Sequence, residues 1–165
     1  MRMITDVVGD IILAKAHDVL AKVIKPDITI GKVTDIDENG IECLKHEYDI
    51  EGIILDVDET LRIDGRSIPP ANQDWIERIK DNFKVIVISN GMDKKLEEYF
   101  KEKGITYIPF AFKPLKMNFK KACEEMAIDP EKILVVGDSL VDDILGAKRN
   151  NFKSALVQGV EEAER

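Results

Sequence analysis

From residue 50 onward the sequence alternates short apolar runs with stretches of helical spacing, and this alternation constrains the fold more than any other feature. The apolar runs lie at 52–57, 84–89, 106–112, 132–137 and 153–157. They are rich in Ile, Val and Leu and too short for helices, so they read as strands. Between them, residues 69–83 place Trp75, Ile76, Ile79 and Phe83 on one helical face behind paired prolines. Residues 93–104 do the same with Leu96, Tyr99 and Phe100, and Gly104 is a helix stop. Residues 116–130 carry Phe119, Ala122, Cys123 and Met126 ahead of Pro130. Strand and helix in regular alternation predict an α/β fold, a parallel sheet covered by helices on both faces.

A chain of 165 residues fits a single domain. The reading takes 1–165 as one domain, with 1–50 an N-terminal extension and 51–165 the core. A formal net charge of −8 argues against nucleic acid as a partner, because neutralising phosphates needs a basic face. Cys43 and Cys123 lie far apart, show no metal-ligand spacing and suggest a reducing, cytoplasmic setting. No apolar stretch approaches the length of a membrane span, and acids at Asp6 and Asp10 interrupt any signal-peptide core.

The polar residues that end the strands carry the chemistry. In "GIILDVDETL" the first run closes on Asp56 and Asp58, two residues apart and so facing the same way. On this stretch alone, an acidic strand end capped by solvent fits as well as a site. The other runs break the tie. The second ends in Ser89-Asn90-Gly91, the third in Lys113-Pro114 and the fourth in Gly137-Asp138-Ser139, with Asp142 and Asp143 a turn later. Parallel strands finish at a common carboxyl edge, where ligands bind. Carboxylates, a hydroxyl, an ammonium and freed amides at one edge are what a phosphoryl group and a divalent cation require.

These four elements, Asp56-Val57-Asp58-Glu59-Thr60, Ser89, Lys113 and Gly137-Asp138-Ser139 with Asp142-Asp143, resemble the four motifs of the haloacid dehalogenase superfamily in order and strand context. Within it the chain looks most like the YqeG-like group of subfamily IIIA, whose relatives include phosphatidylglycerophosphate phosphatases. It departs from that group at Glu59 and Asp142, where Asn and Thr are usual. The resemblance implies a three-layer Rossmann-like sheet of order 3-2-1-4-5 with the Asp56 strand central. It also implies a Mg²⁺-dependent phosphate monoester hydrolase working through an aspartyl-phosphate. Asp56 would be the nucleophile and Asp58 the general acid and base. Ser89, Asn90 and Lys113 would bind the phosphoryl group. Asp56, Asp58 (through its carbonyl), Asp138 and Asp143 would hold Mg²⁺ or its water, and Thr60 would prop the first loop.

Spacing adds that the site is capless. Only 28 residues separate Thr60 from Ser89, and 23 separate Ser89 from Lys113, each gap filled by one crossover helix. An open site admits a phosphorylated lipid head group or protein, or a small molecule if oligomerisation supplies a lid. Residues 1–25 follow helical spacing through Ile4, Val7, Val8, Ile11 and Ile12 and then Ala16, Val19, Leu20, Val23 and Ile24. That pattern fits packing on the core or a second subunit, or peripheral attachment to a membrane. The alternative of a different class is a receiver-like signalling module, which also phosphorylates an Asp but lacks an acid two residues beyond it.

Overall fold

In the computed structural model, residues 15, 18–20 and 22–161 are described, and they form one six-stranded sheet. The helical reading of residues 1–14 lies outside the described residues. Residues 15, 18–20, 22 and 23 are helical. In chain order the strands are β1 (Ile28–Ile30), β2 (Gly52–Leu55), β3 (Lys84–Ile88), β4 (Thr106–Ile108), β5 (Ile133–Gly137) and β6 (Lys153–Val157). Their spatial order is β1-β6-β5-β2-β3-β4, and every pairing is parallel. Numbered from Gly52, five of these strands stand in the expected order 3-2-1-4-5, with the Asp56 strand central. No described helix is long and apolar enough to cross a membrane.

The helices are α1 (Glu38–His46), α2 (Pro70–Asn82), α3 (Lys94–Glu102), α4 (Lys116–Met126) and the short α5 (Gly146–Arg149), which continues a π-helical turn at Leu140–Leu145. Period-two alternation on the strands sorts them into two layers. Ile53, Leu55, Val87, Leu134 and Val136 face one side, where they pack on Trp75, Ile76 and Ile79 of α2 and on Leu96 and Phe100 of α3. Ile54, Ile86, Ile88, Ile133 and Val135 face the other, against Phe119, Ala122 and Met126 of α4 and Ala147 of α5. α4 and α5 approach closely because Gly146 has no side chain, since a Cβ there would lie 2.5 Å from the Phe119 ring.

Helix boundaries follow local chemistry. Pro70 opens α2, where its missing N–H costs nothing. Asp93 caps α3 by accepting from the amides of Lys95 and Leu96. Gly104 sits just past its end at φ +68°, in the left-handed region. The third strand is shorter than the 106–112 run. Pro109 offers no ladder donor, and Phe110 and Phe112 turn to φ +50°, so pairing stops at Ile108.

Residues 28–50 form more than the extension that the sequence pattern suggests. They add β1 at the sheet edge beside β6, then α1, whose Ile41 and Leu44 enter the same core cluster as β2. Trp75 ties this segment down, its indole Nε1 donating to the Ile36 carbonyl at 3.1 Å. Further upstream, Leu20 and Ile24 pack on Leu140, Ile144 and Leu156. Trp75→Phe keeps most of the buried bulk but orphans that carbonyl. We expect it to lower unfolding free energy by roughly 1–3 kcal/mol in urea titration, with a single transition. Two separated transitions would show that 28–50 and the core fold as independent units.

Candidate active site

The carboxyl ends of β2, β3 and β5 meet in the middle of the sheet, and the loops that follow carry the polar residues singled out in the sequence. Asp56 follows β2 directly, and its amide donates to the Val136 carbonyl of β5 at 3.0 Å. Asp56 as a whole is 9% exposed. Thr60, fully buried, donates from Oγ1 to Asp56 Oδ2 at 3.1 Å. On the other oxygen, the Lys113 ammonium lies 2.6 Å from Asp56 Oδ1 and 2.7 Å from Asp143 Oδ1. One buried cation thus bridges two buried carboxylates.

Asp138 completes a cluster with Asp56 and Asp143, whose carboxylate oxygens can lie within 4.8 Å of one another. Burial, then the neighbouring Asp56 carboxylate, pushes both Asp138 and Asp143 up to about 7. Lys113 opposes that rise at Asp143. Burial also works against the charge on Lys113, but Asp143 and Asp56 outweigh it and hold the ammonium firmly protonated. Three carboxylates against one ammonium leave an excess of negative charge in a place poor in water. Hard oxygen donors in that arrangement fit a divalent cation such as Mg²⁺. Gly137 makes the crowding sterically feasible, because a Cβ there would stand 2.3 Å from the Asp143 carboxylate carbon.

The remaining motif residues divide between the site and its support. Ser89 is buried at the end of β3, its Oγ accepting from the Gly91 amide at 3.3 Å. Asn90 latches two loops together. Its Oδ1 accepts from the Lys113 amide at 2.7 Å, and its Nδ2 donates to Asp142 Oδ2 at 3.1 Å. Asp142 is held there and Asp143 is buried in the cluster, so these adjacent acids play separate parts. The Asp58 carboxylate lies outside the acidic cluster and pairs with Arg62 Nε at 2.8 Å.

Arg62 and Asp93 were not singled out in the sequence. Arg62 is 7% exposed and spans from Asp58 to Asp93, the latter at 2.8 Å from its Nη1. Burial disfavours its charge, but the hydrogen bonds to Asp93 and Asp58 more than compensate and raise its pKa. The same contact holds Asp93 below the usual carboxylate range. The only hints in the sequence are the i,i+4 spacing of Asp58 and Arg62 and the position of Asp93 just before a helix. Neither reveals that the two acids share one guanidinium, with Arg62 and Asp93 31 positions apart. Tyr107 stands nearby, its hydroxyl buried and its pKa raised chiefly by that burial.

A family model described as haloacid dehalogenase-like hydrolase matches residues 6–151. The chain belongs to the haloacid dehalogenase-like hydrolases. It is 34% identical over 113 residues to a probable phosphatase, YqeG, of Bacillus subtilis, covering 67% of this chain and 66% of that protein. It is 29% identical over 98 residues to a glyceraldehyde 3-phosphate phosphatase of Pyrococcus furiosus, covering 54% of this chain and 41% of the other. The matched part therefore spans less than two thirds of either relative. Among solved structures, a haloacid dehalogenase-family enzyme from Bacteroides thetaiotaomicron, in complex with magnesium and inorganic phosphate, superposes with a TM-score of 0.53. It shares 14% identity over 68% of this chain and 96% of that one. The expected superfamily and its YqeG-like branch agree with these likenesses.

The acidic cluster of this haloacid dehalogenase-like hydrolase should leave a mark on stability. Asp138 and Asp143 bind protons more tightly folded, at about 7, than unfolded, at about 3.9. Between those values the native state holds more protons than the unfolded state, so stability falls as pH rises. In EDTA we expect the urea midpoint to drop from pH 4 toward pH 7 by this contribution, and saturating Mg²⁺ to abolish the decline. A midpoint whose pH slope is the same with and without Mg²⁺ would separate the cation from these carboxylates.

Proposed function

We propose that this protein is a Mg²⁺-dependent phosphate monoester hydrolase that works through an aspartyl-phosphate on Asp56. The observation that carries the reading is the convergence at Lys113. A buried ammonium there fixes one oxygen of Asp56 while Thr60 fixes the other. A carboxylate held at both oxygens is aimed rather than free to rotate, as in-line attack on phosphorus requires. Ser89 stands at the next strand end to donate to a phosphoryl oxygen. Lys113 offsets charge that builds on the transferring group.

Asp58, two residues after the nucleophile and outside the cluster, is the group we assign to proton transfer. It would protonate the leaving alcohol and then take a proton from the water that hydrolyses the aspartyl-phosphate. Asp56, Asp138 and Asp143 would hold the Mg²⁺. When bound, the ion offsets the carboxylate excess and withdraws charge from the phosphoryl oxygens. The phosphatase names of the two curated relatives and the magnesium and phosphate bound to the Bacteroides enzyme support this chemistry. The receiver-like alternative has no comparable support, since an acid two residues after the acceptor favours turnover.

We extend the proposal to a substrate presented at a membrane surface, on a feature beside Lys113. Phe110, Phe112, Leu115 and Met117 are 54–70% exposed while Ala111 and Lys113 between them are buried. Left-handed backbone at Phe110 and Phe112 is unfavourable for bulky residues, and such strain gathers at functional places. Residues 103–123 contain no acid in a chain with 32 of them, and Lys116 and Lys121 are exposed on α4. An apolar rim with basic neighbours and no cap suits a bilayer carrying anionic lipids.

Three experiments address these readings. Asp56→Asn should reduce turnover of para-nitrophenyl phosphate at least ~10⁴-fold with the fold intact by circular dichroism. EDTA should abolish wild-type activity and Mg²⁺ restore it; full activity after exhaustive chelation would overturn the metal assignment. For the rim, Phe110→Ser/Phe112→Ser should weaken sedimentation with anionic phospholipid vesicles about tenfold or more, because each Phe removed from the bilayer forfeits over 1 kcal/mol. Its activity on soluble para-nitrophenyl phosphate should stay near wild type. Unchanged vesicle binding, or none by the wild type, would remove the membrane from the proposal.

A further inference from the structure

A cavity of about 430 Å³ opens beside Arg62, between the loop that follows the first motif and the start of α3. Its lining includes Arg62, Arg66, Lys94 and Lys95, with Asp93 the one carboxylate among the lining side chains. Arg62 is committed to Asp58 and Asp93. The second Asp93 oxygen faces the amides of Lys95 and Leu96. Among the described residues, Arg66, Lys94 and Lys95 have no carboxylate within ion-pair distance. Three uncompensated cations therefore surround one hollow in a chain of net charge −8. Ile68, Leu96 and Tyr99 add apolar wall.

We infer that this cavity is a subsite for the leaving group, and that it selects phosphate esters whose alcohol carries a second anionic group. The inference rests on the phosphatase reading, because it takes its direction from Asp58. A general acid must stand within hydrogen-bond reach of the oxygen it protonates, so the alcohol departs on the Asp58 side of the phosphorus. On that side the cavity lies one guanidinium away, since the same Arg62 touches Asp58 through Nε and lines the hollow. A short carbon chain would run along Leu96 and Tyr99, and a carboxylate or second phosphate at its end would meet Arg66, Lys94 and Lys95. Pairing there takes no charge from Lys113 or Arg62. Part of the selectivity thus falls to the core itself, in a hollow lined by the loop after Asp58 together with the first turn of α3.

The test compares two esters that differ in one group, 3-phosphoglycerate, which carries a carboxylate, and glycerol 3-phosphate, which carries a hydroxymethyl in its place. Both are measured as competitors of Mg²⁺-dependent para-nitrophenyl phosphate hydrolysis, so the comparison holds whether or not either is turned over. The inhibition constant of 3-phosphoglycerate should be lower by about tenfold or more, the size of one charge-assisted contact. In Arg66→Gln/Lys94→Gln/Lys95→Gln the ratio should fall toward one through a rise in the constant for 3-phosphoglycerate, while that for glycerol 3-phosphate, which has no second anion, moves by less than about twofold. The single variant Lys94→Gln, at an exposed position, should move the ratio in the same direction if the triple variant folds poorly. Equal constants in the wild type, or a preference that survives the substitutions, overturn the subsite alone. Absence of any Mg²⁺-dependent hydrolysis of para-nitrophenyl phosphate overturns the phosphatase reading and the subsite with it.

Discussion

The Lys113 ammonium, shared between Asp56 and Asp143, is the contact on which the arrangement of the site depends. It is almost wholly removed from solvent, and a charge so placed is tolerable only when paired. Losing one partner of such a pair costs roughly 3–5 kcal/mol, because the other is left charged and desolvated. The bridge therefore fixes the loop after β4 against the ends of β2 and β5 at once. It also sets the outward side of that loop. With Lys113 and Ala111 turned in, Phe110 and Phe112 must turn out, so the buried ion pairs and the apolar rim are two faces of one short segment.

The charge balance around the same bridge favours a cation. Lys113 offsets one negative charge, while Asp56, Asp138 and Asp143 bring three. Protonation can relieve the excess, as the raised values of Asp138 and Asp143 indicate. A bound dication relieves it without protons and leaves the carboxylates available as ligands. On the far side of Asp56 the balance reverses. Arg62 compensates Asp58 and Asp93, and the adjoining cavity is lined by cations with no ion-pair partner among the described residues. Negative charge thus gathers where metal would sit, and positive charge where the rest of an anionic ester would extend.

Much of this was legible in the sequence, for definable reasons. Period-two alternation in "GIIL" and "ILVV" forces neighbouring residues to opposite sheet faces, so both helical layers followed from the strands. Parallel strands end together, so Asp56, Ser89, Lys113 and Asp138 had to reach one edge. Gly104 and Pro70 marked helix ends because their backbone chemistry permits little else. Where the pattern is short, the reading failed. β1 is three residues with a half-exposed alternation, and α1 carries only two buried residues, so neither raised a periodic signal above its surroundings. The third strand was drawn too long because its apolar run continues past Pro109, although the pairing does not.

By itself the sequence determined the layers, the central place of the Asp56 strand and the identity of the residues at the carboxyl edge, because strand and helix periods are local properties. Which of those residues touch depends on how the chain folds in three dimensions. Asp143 rather than Asp142 entered the cluster because the turn after Ser139 buries one acid and leaves the other for Asn90. Arg62 became the link between Asp58 and Asp93 because folding brings the loop after β2 against the first turn of α3. Pairing of charges depends on distance in space, and residues 31 positions apart carry no sign of it until the sheet sets their helices side by side.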